Sequence, residues 1–145
     1  MRVMITHGRR APYAPFGAHL VKAFRALGCE ATLLCVRDRP WWGTLAKRIV
    51  PARWKSFWQW DQKVWANRMV LTAAARYRPD LLIEVGGDLF TIESLREMKR
   101  RWRMRLGLWL AEGPFREPVG PALDEYDLIA STSRPEVQQL RQAGY

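Results

Sequence analysis

Three side chains able to take or give a proton follow short apolar runs in this chain: His7, Asp88 and Glu112. Imidazole and carboxylate are the groups that most often act as general acids and bases. Gly8, Gly86 and Gly87 lie beside them, where a ligand can come close to the backbone. Arg9 and Arg10 add two guanidinium groups suited to an anion. Some chemistries are excluded. The stretch from His7 to Pro15 has one glycine, and the next is Gly17. That fits neither Gly-x-Gly-x-x-Gly nor a P-loop, so no dinucleotide or triphosphate cradle is expected there. The two cysteines, Cys29 and Cys35, and the two histidines are not at zinc-ligand spacing. No metal and no cofactor are expected, and both cysteines read as reduced, buried thiols.

The elements that would hold these residues can be read in order. Met1 to Thr6 is a strand, and Gly17 to Leu27 a helix with Leu20, Val21, Phe24 and Leu27 on one face, closed by Gly28. Glu30 to Val36 is a second strand, so the opening unit is a right-handed parallel crossover. Arg37 to Pro51 is a basic, Trp-containing connection with a short helix over 44–49. A long helix then runs from Arg53 to Tyr77, free of Gly and Pro. Trp54, Phe57, Trp58, Val64, Trp65, Met69 and Leu71 form its apolar face, with Asp61 and Arg68 inside that face as buried polar residues or as lining of a cleft.

Pro79 and Asp80 stop that helix. Leu81 to Val85 reads as a strand buried on both faces, ended by Gly86-Gly87. A helix over Thr91 to Arg101 has its cations at the C-terminal end, where they complement the dipole. Met104 to Leu110 is a fourth strand, ending in Ala111-Glu112-Gly113-Pro114. Val119 to Glu125 is a linker or short helix. Tyr126 to Ser131 is a fifth strand. Arg134 to Ala143 is a last helix, with Ser133 and Glu136 spaced as a capping box.

Strands alternating with helices predict an α/β, doubly wound, Rossmann-like three-layer sandwich. Its parallel sheet has five strands in the order 2-1-3-4-5, with a long helical insertion between strands 2 and 3. Residues 1–145 form one domain. The switch point lies between the first and third strands, which brings His7 to Arg10 beside Gly86 to Asp88.

Composition narrows the partners. The 145 residues carry 24 Lys and Arg against 14 Asp and Glu, a net charge of +10, and eight Trp. Such a chain attracts anions. Eight basic and two acidic residues fall between Arg37 and Arg68. An anionic membrane surface is therefore one expected partner, alongside plain solvated charge. Nucleic acid is not expected, since no recognised binding motif is present. No secretory signal and no apolar run of the roughly 18 residues that span a bilayer can be seen. A cytoplasmic protein is expected, peripheral on the inner face of the membrane where docking occurs.

The order of motifs resembles the N-terminal half of GT-B glycosyltransferases: a first strand at Met1, Ala26-Leu27-Gly28 before a strand, a helical insertion, then Arg78-Pro79-Asp80-Leu81-Leu82-Ile83. Leu108-Trp109-Leu110-Ala111-Glu112-Gly113-Pro114 is similar to a strand and turn of the CgeB-like (spore-maturation-protein) group, with Glu112 where Asp is expected. Tyr126 to Thr132 resembles that family's fifth strand, and Leu140 to Gly144 the helix before its interdomain linker.

The resemblance implies an acceptor-side domain, with the nucleotide-sugar donor held by a C-terminal domain absent here. It implies hexosyl transfer to an unknown acceptor, and no activity from this fragment alone. It assigns Glu112, Asp88 or His7 as the base that accepts the acceptor's proton. Arg9 and Arg10 would face the diphosphate, and Gly8, Gly86, Gly87, Ser131 and Thr132 would line the substrate site. The alternative function is a non-enzymatic ligand- or anion-binding module. A phospho-receiver is disfavoured, because His7, Arg9 and Arg10 stand where its acidic cluster would be.

Overall fold

The computed structural model describes residues 1–7, 16–36, 55–87, 89–110 and 120–145, with side chains from 64 onward in the helix beginning at 55 and from 122 onward in the turn beginning at 120. Five strands, β1 (Arg2–His7), β2 (Glu30–Cys35), β3 (Leu81–Val85), β4 (Arg105–Leu110) and β5 (Leu128–Ser131), form one parallel sheet in the order β2-β1-β3-β4-β5. Among the described residues four helices accompany it: α1 (Phe16–Ala26), α2 (Lys55–Tyr77), α3 (Ile92–Trp102) and α4 (Arg134–Gln142). A 3-10 helix spans Gly120–Glu125. This is the Rossmann-like α/β order that the sequence predicts. The short helix expected over 44–49 lies outside the described residues, as do Trp41, Trp42 and Trp54 and the side chains of Phe57, Trp58 and Asp61.

Two aspartates set the sheet's amino-terminal edge in the same way. Asp80 Oδ2 accepts the Arg2 N–H at 2.6 Å, and the Asp80 N–H returns to the Arg2 carbonyl at 2.8 Å. Asp127 Oδ2 accepts the Leu106 N–H at 2.8 Å, and the Asp127 N–H returns to the Leu106 carbonyl at 2.8 Å. Each aspartate locks its strand to the neighbour by gripping both the N–H and the C=O of one residue. Partial burial works to raise the Asp127 pKa. The Leu106 N–H and Lys99, 2.9 Å away, outweigh it and hold the carboxyl below its ordinary value.

The two faces of the sheet are unequal. On one, Met4, Leu82, Leu106, Leu108 and Leu110 pack with Val70 and Ala74 of α2, Leu95 and Met98 of α3, Leu123 and Leu140. On the other, Val3, Ile5, Ala31, Ile83 and Val85 pack with Val21 and with half-buried Phe16, Leu20 and Phe24, all of α1. Among the described residues only α1 packs on this second face, and Leu128 of β5 stays 58% exposed.

Helix ends follow their residue types. The Cys29 N–H bonds the Phe24 carbonyl and the Gly28 N–H the Arg25 carbonyl, each at 3.0 Å, with Gly28 at φ +76. That is the Schellman pattern. Thr91 caps α3, its hydroxyl accepting the Ser94 N–H at 3.3 Å. Arg103 closes α3 in the left-handed region, at φ 52. A Cβ there is unfavourable. Arg103→Gly is therefore expected to stabilise the chain by about 1 kcal/mol, read as a higher urea midpoint at unchanged slope.

Two expectations need correction. The buried stripe of α2 is Ala66, Asn67, Val70 and Ala74, with Met69 and Leu71 packed half-buried beside it as expected, whereas Trp65 is 37% exposed and Arg68, the cleft-lining alternative, is exposed along a groove. The helix approaches the sheet through its small residues, which turns the indole and the guanidinium outward. At α4, Ser133 is the N-cap but its side chain makes no capping bond. Ser131 Oγ accepts the Ser133 N–H at 3.0 Å and donates to the buried Glu136 carboxylate. The glutamate reaches the strand's last serine instead of completing a capping box.

Candidate functional site

Register brings the carboxyl ends of the strands into one row. His7 pairs with Val85, Val85 with Trp109, and Trp109 with Ala130. The chain leaves that row at Gly86 and Gly87 and again at Ser131 and Thr132. His7 is half-buried, and its carbonyl accepts the Val36 N–H at 3.1 Å. Gly86 donates its N–H to the Trp109 carbonyl at 2.9 Å. Gly86 has φ 111 and Gly87 φ 86, backbone that side-chain-bearing residues rarely adopt, so this turn needs glycine. Thus His7, Gly86 and Gly87 meet at the β1–β3 switch point, while Ser131 and Thr132 lie two strands away at the sheet's end. The other candidates, Gly8, Arg9, Arg10, Asp88 and Glu112, lie outside the described residues.

Beneath the turn is a buried polar frame that the sequence reading passed over. Glu84 is wholly buried on β3, on the face shared by Leu82 and Leu108. Its Oε1 accepts the Leu89 N–H at 2.8 Å, and its Oε2 accepts the Tyr126 hydroxyl. Asn67, buried on α2, donates from Nδ2 to the Leu89 carbonyl at 3.2 Å and accepts the Thr91 N–H on Oδ1 at 3.3 Å. The backbone of Leu89 is thereby held at both its N–H and its C=O by side chains from two elements. Burial first, then the charge of Glu84 and its hydrogen bond, raise the Tyr126 phenol above its ordinary value. The signal was present in the sequence: one carboxylate in the run Leu81-Leu82-Ile83-Glu84-Val85 must be paired if that strand is buried on both faces.

The chain is similar to UDP-GlcNAc 2-epimerase from Methanocaldococcus jannaschii, at 10% identity and a TM-score of 0.61, over 100% of this chain and 43% of that one. It has a Rossmann-like fold of the GT-B type. The chain spans less than half the length of that protein. No protein-family profile matches the sequence, and no curated protein is significantly similar.

In such a domain the carboxyl ends of the strands form the ligand side. The described part of that side offers backbone N–H and C=O groups at a glycine turn, an imidazole and two hydroxyls. The donor of Ser131 is already given to Glu136. Among the described residues two buried side-chain atoms, Trp109 Nε1 and Glu136 Oε1, have no hydrogen-bond partner. No cluster of His, Cys, Asp and Glu able to hold a metal ion occurs among the described residues. No helix among them is long and apolar enough to cross a membrane.

Proposed function

We propose that this domain is the acceptor-side half of a GT-B glycosyltransferase in the CgeB-like group, moving a hexose from a nucleotide-sugar to an acceptor. The observation that carries the reading is the 2-1-3-4-5 sheet with a glycine turn at its switch point, in a fold similar to a nucleotide-sugar enzyme. The nucleotide-sugar donor sits on a second, C-terminal domain, and the acceptor lies against Gly8, Gly86, Gly87, Ser131 and Thr132. His7, Asp88 or Glu112 takes the acceptor's proton as the glycosidic bond forms. Arg9 and Arg10 stabilise the departing diphosphate.

The test is turnover by the product of the whole gene, supplied with radiolabelled nucleotide-sugars. Sugar transfer that falls at least 100-fold in one of the variants His7→Ala, Asp88→Asn or Glu112→Gln is expected, on the order of a lost general base. A gene product with no second α/β domain, or full turnover in all three variants, would remove the proposal.

A further inference from the structure

We propose that the outer edge of β2, together with the flank of α2 that lines the groove beside it, is a docking site for an extended acidic peptide segment. The site is a groove of about 680 Å³ lined by Thr32 and Leu34 of β2 and by Trp65, Arg68, Met69 and Arg76 of α2. Three independent features converge on it.

The first is the backbone. β2 is the end strand of the sheet and pairs only with β1 among the described residues. The Glu30 N–H reaches the Met1 carbonyl and the Val36 N–H the His7 carbonyl. In a parallel ladder the even-numbered residues of β2 therefore face β1, and the N–H and C=O groups of Ala31, Leu33 and Cys35 face outward. Arg25 already covers the Ala31 carbonyl, through Nε at 3.1 Å and Nη2 at 2.9 Å. Leu33 and Cys35 remain as an open rail. Edge strands are ordinarily blunted by Lys, Pro, a bulge or a covering element, and Thr32-Leu33-Leu34-Cys35 has no such residue of its own.

The second feature is the helix flank. Beside the stripe Ala66, Val70 and Ala74 by which α2 meets the sheet, the row Trp65, Arg68, Thr72 and Arg76 lines the groove together with Thr32, Leu33 and Leu34 of β2. That places side chains where those of an added strand would arrive.

The third is charge. Arg68 and Arg76 form no ion pair among the described residues. Eight helical residues advance about 12 Å, and four strand residues advance about 13 Å. Acidic side chains at positions i and i+4 of an added strand match the two guanidinium groups. An apolar side chain at i+2 falls between them, against Met69 and Leu34. The occupant is thus a strand of pattern acid–x–apolar–x–acid, recognised by edge pairing and by charge. A chain of net charge +10 suits such a partner.

The probe is a fluorescein-labelled peptide, acetyl-Thr-Glu-Thr-Val-Thr-Glu-Thr-amide, titrated into the 145-residue chain and read by fluorescence anisotropy. Saturable binding is expected. It should weaken roughly tenfold in the double variant Arg68→Glu, Arg76→Glu, the sum of two exposed ion pairs. Should that variant fold poorly, the wild-type chain still decides. A peptide with Lys in place of both Glu, and one N-methylated at its three central amides, should each bind at least tenfold more weakly. Equal binding of either control peptide would refute the edge-strand docking. So would absence of saturation at millimolar peptide. Displacement of the peptide by vesicles containing phosphatidylglycerol would also overturn it, since the groove would then serve a membrane.

Discussion

Replacing Glu84 by Ala is expected to cost about 3–5 kcal/mol of folding stability, on the scale of removing one partner from a buried polar pair. The substitution leaves the Leu89 N–H and the Tyr126 hydroxyl without their acceptors in a wholly buried place. Each orphaned donor costs about 1–3 kcal/mol, and the deleted side chain leaves a cavity besides. Glu84→Gln should cost less, because the amide oxygen can still accept one of the two donors. Tyr126→Phe removes a single donor and should fall lowest in the series, at about 1–2 kcal/mol. Urea denaturation of the three variants gives the order. A Glu84→Ala chain as stable as the parent would mean that the frame does not hold the loop.

The same pair gives the chain an alkaline limit. In the folded state Tyr126 keeps its phenol proton to higher pH than in the unfolded state, because burial and the Glu84 carboxylate both oppose the phenolate. Its stabilising contribution is complete below the ordinary phenol value of 10.0 and declines as pH rises above it. Tyr126→Phe should flatten that decline. The acid limb has the opposite sign. The depressed Asp127 contributes above its ordinary value of 3.8, and that contribution is lost as pH falls below it.

How far the sequence could be read depended on what each residue had to satisfy. Strand order followed from apolar runs alternating with helical periods, since burial of those runs leaves few arrangements. The motifs behind the family resemblance turn out to carry fold. Asp80 of Arg78-Pro79-Asp80 and Asp127 of Tyr126-Asp127 both clamp the amino-terminal edge of the sheet, opposite the carboxyl ends of the strands. Their recurrence before β3 and β5 reflects one structural task done twice. Glu84 escaped notice because its partners are a backbone amide five residues on and a tyrosine 42 residues on, and such tertiary pairing leaves no local pattern. The face of α2 was misjudged for a related reason. Large apolar residues suggested the buried side, whereas close packing on the sheet selected Ala66 and Ala74 and left Trp65 outside.

Gly87→Val is expected to destabilise the chain by about 3 kcal/mol, counting strain at a β-branched residue with positive φ and overpacking at a buried position. Gly87 is buried at φ 86, between Gly86 and the Leu89 peptide that Glu84 and Asn67 grip. The turn cannot relax toward negative φ without breaking those bonds or the Gly86 N–H bond to the Trp109 carbonyl. Gly86 is exposed, so Gly86→Ala meets strain without overpacking and should cost only about 1–2 kcal/mol. The two variants separate turn geometry from the frame beneath it. Combining Gly87→Val with Glu84→Ala should cost less than the sum of the two, because the second change frees the loop that the first one strains. Additive costs in that double-mutant cycle would show that the turn and the buried carboxylate act independently.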